Sequence, residues 1–292
     1  MLTNLTLVHE HMCIDLSGPK QDLDCSLDLL HDSIEEISDL YSKGVRQIID
    51  CSNRGMGRYV PHILELERVT GIHFLISTGY YKDPFFPPEV KDLTVDQLAE
   101  IMTREISVGI DGLRKASIIG EIGSSLDCIT PLEEKVFLAA CITHQRTKTP
   151  IITHTTLGTM GIEQIKLFQQ HNVDLSKVLI SHVDLKHDFD YIVCLLNTGV
   201  NVGFDTIGKN NYLPDSVRIE WIARLIALGY IEQLFLSMDI TRKSHLKING
   251  GIGYGYLFDT FIPMLEEAGV TTQEIQQMLS GNPQRFIGGN TL

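Results

Sequence analysis

Eight short apolar segments recur along the chain, and a stretch of helical character separates each segment from the next. The segments lie at residues 5–11, 45–51, 72–79, 116–121, 150–153, 178–181, 200–204 and 234–238. Strands that alternate with helices predict a parallel sheet covered by helices. Eight such units close most naturally into a (β/α)8 TIM barrel, which needs about 250 residues and fits within a chain of 292. No linker divides the chain, so we predict one α/β barrel domain over residues 1–292.

Signals for helix ends support this alternation. Capping boxes at Thr94, Thr130 and Thr271, each with Gln or Glu three residues later, predict helix starts. Glycines that follow helical stretches predict helix ends at Gly44, Gly71, Gly199, Gly229 and Gly269. The first helix is predicted from the spacing of Leu27, Leu30, Ile34, Ile37 and Tyr41. A doubly wound open sheet is the competing architecture, but no Gly-x-Gly-x-x-Gly sequence follows the first strand.

Charge and cysteine content exclude several classes of protein. The net charge of −13 opposes binding to nucleic acid or to an anionic membrane, because both need clustered Lys and Arg. The six cysteines include no Cys-x-x-Cys pair, so neither a thiolate zinc site nor a thioredoxin-like motif is predicted. No signal-peptide pattern and no apolar run of about 18 residues is visible. We therefore expect a soluble protein of the cytoplasm.

Potential metal ligands stand at the carboxyl ends of five predicted strands, the rim at which barrel enzymes carry their active sites. The first strand ends in a His-x-His pair, which places both imidazoles on one face. That pair alone is weak evidence, since a chain with eleven histidines contains about 0.4 such pairs by chance. The strand-end residues together are His9, His11, Glu121, His154, His182 and Asp239.

Each of these residues has an ordinary alternative role. A single histidine after an apolar strand is more often a hydrogen-bonded rim residue than a metal ligand. Asp239 could cap the following helix, and Glu121 could pair with a nearby Arg or Lys. Four histidines and two carboxylates at five strand ends are difficult to explain by independent causes of this kind, so a shared metal site is the favoured interpretation.

The chain resembles the amidohydrolase superfamily, specifically the phosphotriesterase family, and within it the branch of phosphotriesterase homology proteins. The resemblance extends over essentially the whole chain. The matching stretches are 9–11 (HEH), 77–81 (STGYY), 118–123 (IIGEIG), 181–186 (SHVDLK), 204–210 (FDTIGKN) and 237–241 (SMDIT).

The resemblance implies a binuclear metal centre. His9, His11 and Asp239 would hold the more buried ion, and His154 and His182 the more exposed one. Glu121 would bridge the two ions, in the place where much of the family has a carbamylated lysine. Lys115, the only nearby lysine, lies six residues earlier on the strand and is expected to be too deep to reach. Imidazole and carboxylate ligands suit two Zn2+ ions, although Mn2+ or Fe2+ would also be accepted.

The implied reaction is hydrolysis by a hydroxide that bridges the two metals and attacks an ester or lactone. Asp239 is the candidate to take the proton and pass it to the leaving group. His182, with Asp184, would assist as a relay. Tyr81 matches a family tyrosine that lines the metal pocket, and packing on Phe85 or Phe86 is its alternative role.

The loop after the eighth strand suggests a small anionic substrate, such as a phosphorylated sugar lactone or a carboxylate ester. It carries Arg242, Lys243 and Lys247, followed by several glycines that would let backbone N–H groups approach an anion. The alternative is that these cations are solvated and the glycines only make the loop flexible. His245 is a weaker candidate for substrate contact. Family lactonases tend to carry an arginine after strand seven, and Thr206 stands there instead.

Other functions remain as alternatives. Deaminases of the superfamily usually follow the strand-five histidine with a His-x-x-Glu motif, and His154 is followed by Thr155, so that reading is dropped. A phosphotriesterase-like hydrolysis of phosphoesters is one alternative, and a metal-binding protein without turnover is another. The family resemblance also implies a possible homodimer.

Overall fold

The structure, a computed structural model, describes residues 2–288. The strands are β1 (Leu5–Glu10), β2 (Cys13–Asp15), β3 (Ser26–Asp28), β4 (Val45–Asp50), β5 (His73–Thr78), β6 (Ile118–Ser124), β7 (Ile151–Thr155), β8 (Val178–Ile180), β9 (Asn201–Phe204) and β10 (Leu234–Leu236). The helices are α1 (Ser17–Lys20), α2 (Leu29–Asp32), α3 (Ile34–Ser42), α4 (Val60–Thr70), α5 (Glu89–Asp92), α6 (Val95–Ser107), α7 (Pro131–Thr147), α8 (Gly161–Gln170), α9 (Phe189–Leu196), α10 (Asp215–Ala227), α11 (Ile262–Glu267), α12 (Thr272–Gln276) and α13 (Asn282–Ile287).

Eight parallel strands form the barrel in the order β1-β4-β5-β6-β7-β8-β9-β10, which is their order along the chain. Each of these strands corresponds to one of the eight segments predicted from the sequence. At the seam between β10 and β1, the Asp239 N–H donates to the His9 carbonyl. The side chain of Glu10 also accepts hydrogen bonds from the Met238 and Ile240 N–H groups there. The predicted α/β barrel is therefore confirmed.

The barrel interior is apolar below the rim. One side chain from nearly every barrel strand contributes to this inner core, which Phe286 of α13 joins from the C-terminal segment. The core consists of Val8, Ile49, Cys51, Leu75, Ile118, Ile152, Leu179, Phe235 and Phe286. Because this layer is packed, only the rim above it is available for polar chemistry.

Two strands change register where they reach the rim. The β1–β4 pairing shifts between Leu7 and Glu10, so Val8 points into the inner core and the adjacent His9 also faces inward. The β6–β7 pairing shifts between Ile119 and Ile122, and this shift turns Glu121 into the barrel. Each irregularity thus places a polar side chain above the apolar layer.

All three predicted capping boxes are present, at the starts of α6, α7 and α12. The prediction of one first helix beginning near Leu27 is wrong. Leu27 lies in β3, which pairs with β2 as an antiparallel hairpin, and the helical stretch after it is broken at Ser33 into α2 and α3. In the described residues, no helix combines the length and the apolar character that a membrane crossing requires.

Candidate metal centre

The six strand-end side chains meet at one rim of the barrel around the carboxylate of Glu121. Its Oε2 lies 3.4 Å from His9 Nε2, 3.3 Å from His154 Nδ1 and 3.7 Å from His182 Nε2. Its Oε1 lies 3.5 Å from His11 Nε2. One carboxylate therefore faces all four imidazoles, as the sequence prediction of a shared site requires.

Asp239 completes the group from the end of β10. Its Oδ1 lies 3.3 Å from His11 Nε2 and 3.9 Å from His9 Nε2. Its other oxygen, Oδ2, accepts a hydrogen bond from Lys209 Nζ at 2.6 Å, and the same ammonium also donates to the Asp239 carbonyl. Lys209 thus fixes the carboxylate with Oδ1 turned toward the histidines. The sequence reasoning did not assign Lys209 any role.

Asp205 holds two of the histidines from outside. Its Oδ1 lies 2.7 Å from His182 Nδ1, and its Oδ2 lies 3.3 Å from His9 Nδ1. The hydroxyl of Ser181 is also 2.9 Å from His9 Nδ1. A partner on the outer ring nitrogen fixes the tautomer and leaves the inner nitrogen as a lone-pair donor. Asp205 follows β9 directly, so its position at a strand end was the signal available in the sequence.

His11 has a comparable outer partner. The hydroxyl of Ser52 lies 3.0 Å from His11 Nδ1. Ser52 is fixed in turn, because its backbone N–H donates to Asp50 Oδ1 at 2.9 Å. The carboxylate partner of His182 is Asp205 and not Asp184, as was expected for the relay. Asp184 pairs with Arg218 instead.

The inner atoms of the group fit divalent cations. Within the described residues, His9 Nε2, His11 Nε2 and Glu121 Oε2 are buried without a hydrogen-bond partner. The ligand atoms of His9, His11 and Asp239 lie within 4.8 Å of one another, and so do those of His9, Glu121 and His182. Buried polar atoms are normally paired, so atoms of this kind aimed at one point indicate a cation site. Imidazole and carboxylate donors suit zinc and related metals.

The electrostatics of the group also favour cations. Burial acts to raise the pKa of Asp239, but the Lys209 ammonium and the imidazoles hold that pKa well below its usual range. Burial acts likewise on Glu121, and the four imidazoles lower its pKa strongly in the same way. Burial lowers the pKa of His154 to about 4. The carboxylates therefore remain ionised, and His154 remains neutral. Against the effect of burial, the neighbouring carboxylates raise the pKa of His11 to about 9 and that of His182 to about 10, so a bound cation would replace a proton at these two rings.

Residues 3–287 match the model of the phosphotriesterase family. The chain belongs to this family. It is 50% identical over 286 residues to the phosphotriesterase homology protein of Escherichia coli, covering 98% of each chain. A crystal structure of that E. coli protein, described as complexed with phosphate in its active site, has a TM-score of 0.96 at 49% identity and covers 99% of this chain and 100% of that chain.

More distant members of the phosphotriesterase family have named activities. A lactonase from Listeria monocytogenes has a TM-score of 0.92 at 28% identity, covering 99% of this chain and 96% of that chain. An aryldialkylphosphatase from Saccharolobus solfataricus is 30% identical over 296 residues, covering 97% of this chain and 94% of that protein. The family therefore includes hydrolytic enzymes that act on esters, among them a lactonase and an aryldialkylphosphatase.

A cavity of about 430 Å3 opens above the centre, as expected for a small-molecule site in this family. Glu121, His154, His182 and Asp239 form its floor. Its walls combine apolar side chains with several cations, and they include Ile14, Leu16, Lys20, Tyr81, Leu157, Leu185, Thr206, Lys209, Tyr212, Arg242 and His245.

Of the three predicted substrate contacts, the structure brings one to the cavity and places the other two elsewhere. Arg242 lines the cavity, although its Nη1 also pairs with Asp22 at 2.6 Å. Lys243 is not brought to the cavity, because its Nζ pairs with Asp32 at 3.0 Å. Lys247 lies in a separate groove beside Glu36 and other acidic groups. Spacing along a loop does not show which side of the loop faces the site.

Tyr81 is placed at the cavity wall. Its hydroxyl lies 3.2 Å from His154 Nδ1, and its ring packs on Phe85 with centroids 5.3 Å apart. The two roles that the sequence left open are therefore compatible. Thr206, where family lactonases tend to have an arginine, donates to Asp184 and accepts from the buried Arg218.

Proposed function

We propose that the chain is a hydrolase of ester or lactone bonds that works with two divalent metal ions, preferably Zn2+, held at the rim of the barrel. The arrangement of Glu121 carries this proposal, since its two oxygens lie within 3.7 Å of four imidazole nitrogens. A single negative group in that position is suited to hold two cations side by side.

The ligands divide between two positions around Glu121. His9, His11 and Asp239 would hold one ion, and His154 and His182 the other, with Glu121 shared between them. Bound ions of this type lower the pKa of water and polarise the oxygen of an ester, lactone or phosphoryl group. The side chains of the protein then have to orient the substrate and move the proton.

Asp239 is suited to that proton transfer. Its Oδ1 faces the centre, while Oδ2 is held by Lys209 at 2.6 Å. We assign Asp239 the removal of a proton from the attacking water and its delivery to the leaving oxygen. Asp205 keeps the ring of His182 in one orientation during this exchange. Tyr81 would contact the substrate from the cavity wall.

The substrate is proposed to be small and anionic. Lys20, Lys209 and Arg242 bring positive charge to the cavity, whereas the chain as a whole carries a net charge of −13. The related E. coli protein was crystallised with phosphate in its active site, which supports an anion at this position. Apolar wall residues such as Ile14 and Leu157 would contact the uncharged part of the substrate. A phosphorylated lactone or an anionic carboxylate ester meets both requirements.

The test is a substrate screen with protein loaded with zinc or manganese. Lactones, carboxylate esters and phosphotriesters, each with and without an anionic group, would be compared. We expect the highest kcat/KM for an anionic ester or lactone, and loss of turnover in Asp239→Asn with about two metals per chain retained. Metal content well below two ions per chain after loading would contradict the proposal, as would full activity of Asp239→Asn.

A second candidate is phosphotriester hydrolysis, which the relation to the Saccharolobus aryldialkylphosphatase favours. The same centre can attack phosphoryl and acyl groups, so the screen separates the two. A kcat/KM for phosphotriesters above that for every ester and lactone would favour this second activity. Binding of metal without turnover of any class would leave a metal-binding protein.

A further inference from the structure

A second group of metal-ligating side chains lies apart from the six strand-end residues. Cys13 of β2, Asp28 of β3 and His62 of α4 present ligand atoms that all lie within 4.8 Å of one another. Cys13 Sγ is 3.6 Å from Asp28 Oδ1, and His62 Nδ1 is 2.6 Å from Asp28 Oδ2. The three residues are called the hairpin cluster below, because two of them belong to the β2–β3 hairpin.

We propose that the hairpin cluster is a binding site for one divalent transition metal of the zinc class. Thiolate, imidazole and carboxylate are the three side-chain ligand types that zinc uses most. A tetrahedral zinc with bonds of about 2.3 Å to sulfur and 2.0 Å to oxygen separates those two atoms by about 3.5 Å. The 3.6 Å between Cys13 Sγ and Asp28 Oδ1 matches that separation. The shorter contact of 2.6 Å between His62 Nδ1 and Asp28 Oδ2 has to open, which a partly exposed histidine allows.

The surroundings leave a fourth position accessible. Cys13 is buried with 3% exposure, whereas the side chains of Asp28 and His62 are about one-third exposed, at 31% and 28%. The ring of His31 lies edge-on to His62 with centroids 4.8 Å apart. A water molecule can therefore complete the coordination, next to the ring of His31. The bound cation replaces the thiol proton, which leaves to solvent, and the Nδ1 proton of His62 moves to Nε2 so that Nδ1 can donate its lone pair.

The position of the hairpin cluster gives the metal a structural role. It would join the β2–β3 hairpin to α4. The hairpin ends at Asp28 and α4 begins at Val60, 32 residues later. The same hairpin segment contributes Ile14 and Leu16 to the wall of the cavity above the strand-end residues. A cation in the hairpin cluster would therefore hold one wall of that cavity in place. This inference does not depend on the proposed hydrolytic function.

Cobalt titration followed by absorption spectroscopy tests the proposal. A cobalt–thiolate bond gives an intense near-ultraviolet charge-transfer band, and none of the six strand-end candidates is a cysteine. The two exposed cysteines, Cys128 and Cys194, are first changed to serine to remove adventitious thiols. In this background we expect the band to appear, with about one equivalent of metal beyond that held by the six strand-end residues.

Two variants assign the band to the hairpin cluster. In the serine background, Cys13→Ser is expected to lose the band and about one equivalent of metal. His62→Gln is expected to weaken cobalt binding at this site at least tenfold. His62 is distant in sequence from the strand-end ligands and is partly exposed, so the variant is expected to fold. Absence of the band in the background protein, or an unchanged band in His62→Gln, would overturn the proposal. Either result would leave the three residues as a hydrogen-bonded group, whatever the metal content of the strand-end site.

Discussion

Asp205 orients two candidate metal ligands at once. Its oxygens lie against the outer nitrogens of His182 and His9, at 2.7 and 3.3 Å. Asp205→Asn keeps the shape of the side chain but turns an N–H group toward the outer nitrogen of one imidazole. That ring then loses its fixed orientation, and its inner nitrogen is no longer held toward the centre. We expect metal affinity to fall by about 10- to 100-fold, measured as metal retained against increasing chelator. Asp259→Asn, at an exposed ion pair, is the control, and equal retention in both variants would contradict the role of Asp205.

His144 supplies a pH-dependent contribution to folding stability. Its Nδ1 donates to the Thr149 carbonyl at 2.8 Å, and its Nε2 accepts from the Asp174 N–H, so the buried ring is held in its neutral form. Burial lowers the pKa of His144 below its ordinary value of 6.5. The unfolded chain therefore binds this proton more readily than the folded chain. The stabilisation is complete above pH 6.5 and is lost as the pH falls below that value.

The measurement is urea unfolding between pH 5 and pH 8. His144→Asn is expected to be less stable than the parent at pH 8 but to lose less stability on acidification, because the titrating group is gone. His187→Asn makes the same substitution at an exposed helix-end position and is the control for it. Equal slopes for His144→Asn and the parent would show that another group controls this range.

The sequence predicted the six strand-end residues because each one follows an apolar strand. It did not reveal Asp205, Ser181 or Lys209 as their partners. Those contacts cross between strands, as from β9 to β1, and depend on the register of the barrel rather than on local spacing. For Lys243 and Lys247, the position on the loop did not show which way the side chain points. Lys243 pairs with Asp32, and Lys247 lies in a separate groove beside acidic residues.

At the scale of an element, the irregular end of β6 depends on Gly120. Its φ is +129°, and a Cβ atom there would lie 2.1 Å from the Ile152 carbonyl oxygen of β7. Gly120→Ala must therefore push apart β6 and β7, which carry Glu121 and His154. We expect a loss of stability well above the roughly 1 kcal/mol of a strained left-handed alanine, together with loss of metal binding.

Gly112→Ala is the matched control for this prediction. Gly112 also has a positive φ, of +72°, but nothing lies within 4 Å of the added Cβ. The variant should show the backbone strain alone, and its metal content should be that of the parent. Chemical denaturation and metal analysis of the two variants make the comparison. Similar values for both would mean that the contact with Ile152 is relieved without moving Glu121.

Elements marked by a local sequence pattern were predictable, and elements without one were not. The eight barrel strands and the three capped helices follow from apolar runs and capping boxes. The strands of the β2–β3 hairpin have three residues each, like β8 and β10, but they mix polar and apolar side chains and form no apolar run. Its second strand also runs into α2, so Leu27 shared the spacing of the helical residues that follow. The strand β3 forms through its pairing with β2 and through the contact of Asp28 with His62 of α4, which no local pattern records.

At the scale of the whole molecule, closure of the barrel and assembly of the centre use the same residues. The seam between β10 and β1 is joined where His9 accepts from the Asp239 N–H, so two candidate ligands also link the first and last strands. Glu10, between the two histidines of β1, is fully buried at this seam. Its carboxylate accepts from the N–H groups of Met238 and Ile240, on either side of Asp239. Asp239 itself has a φ of +49°, a conformation that these contacts hold in place.

Glu10→Ala tests whether the seam positions the centre. The change leaves the Met238 N–H, the Ile240 N–H and the Ser237 hydroxyl without their buried acceptor, at a cost of about 1–3 kcal/mol for each unsatisfied group. We expect a lower midpoint in urea and faster hydrogen exchange at residues 237–240. Metal binding should weaken as well, because Asp239 would no longer be held toward His11. Glu10→Gln retains one acceptor oxygen and should lie between the alanine variant and the parent. If Glu10→Ala instead unfolds early but keeps its metal affinity, the position of Asp239 is set by Lys209 and not by closure of the barrel.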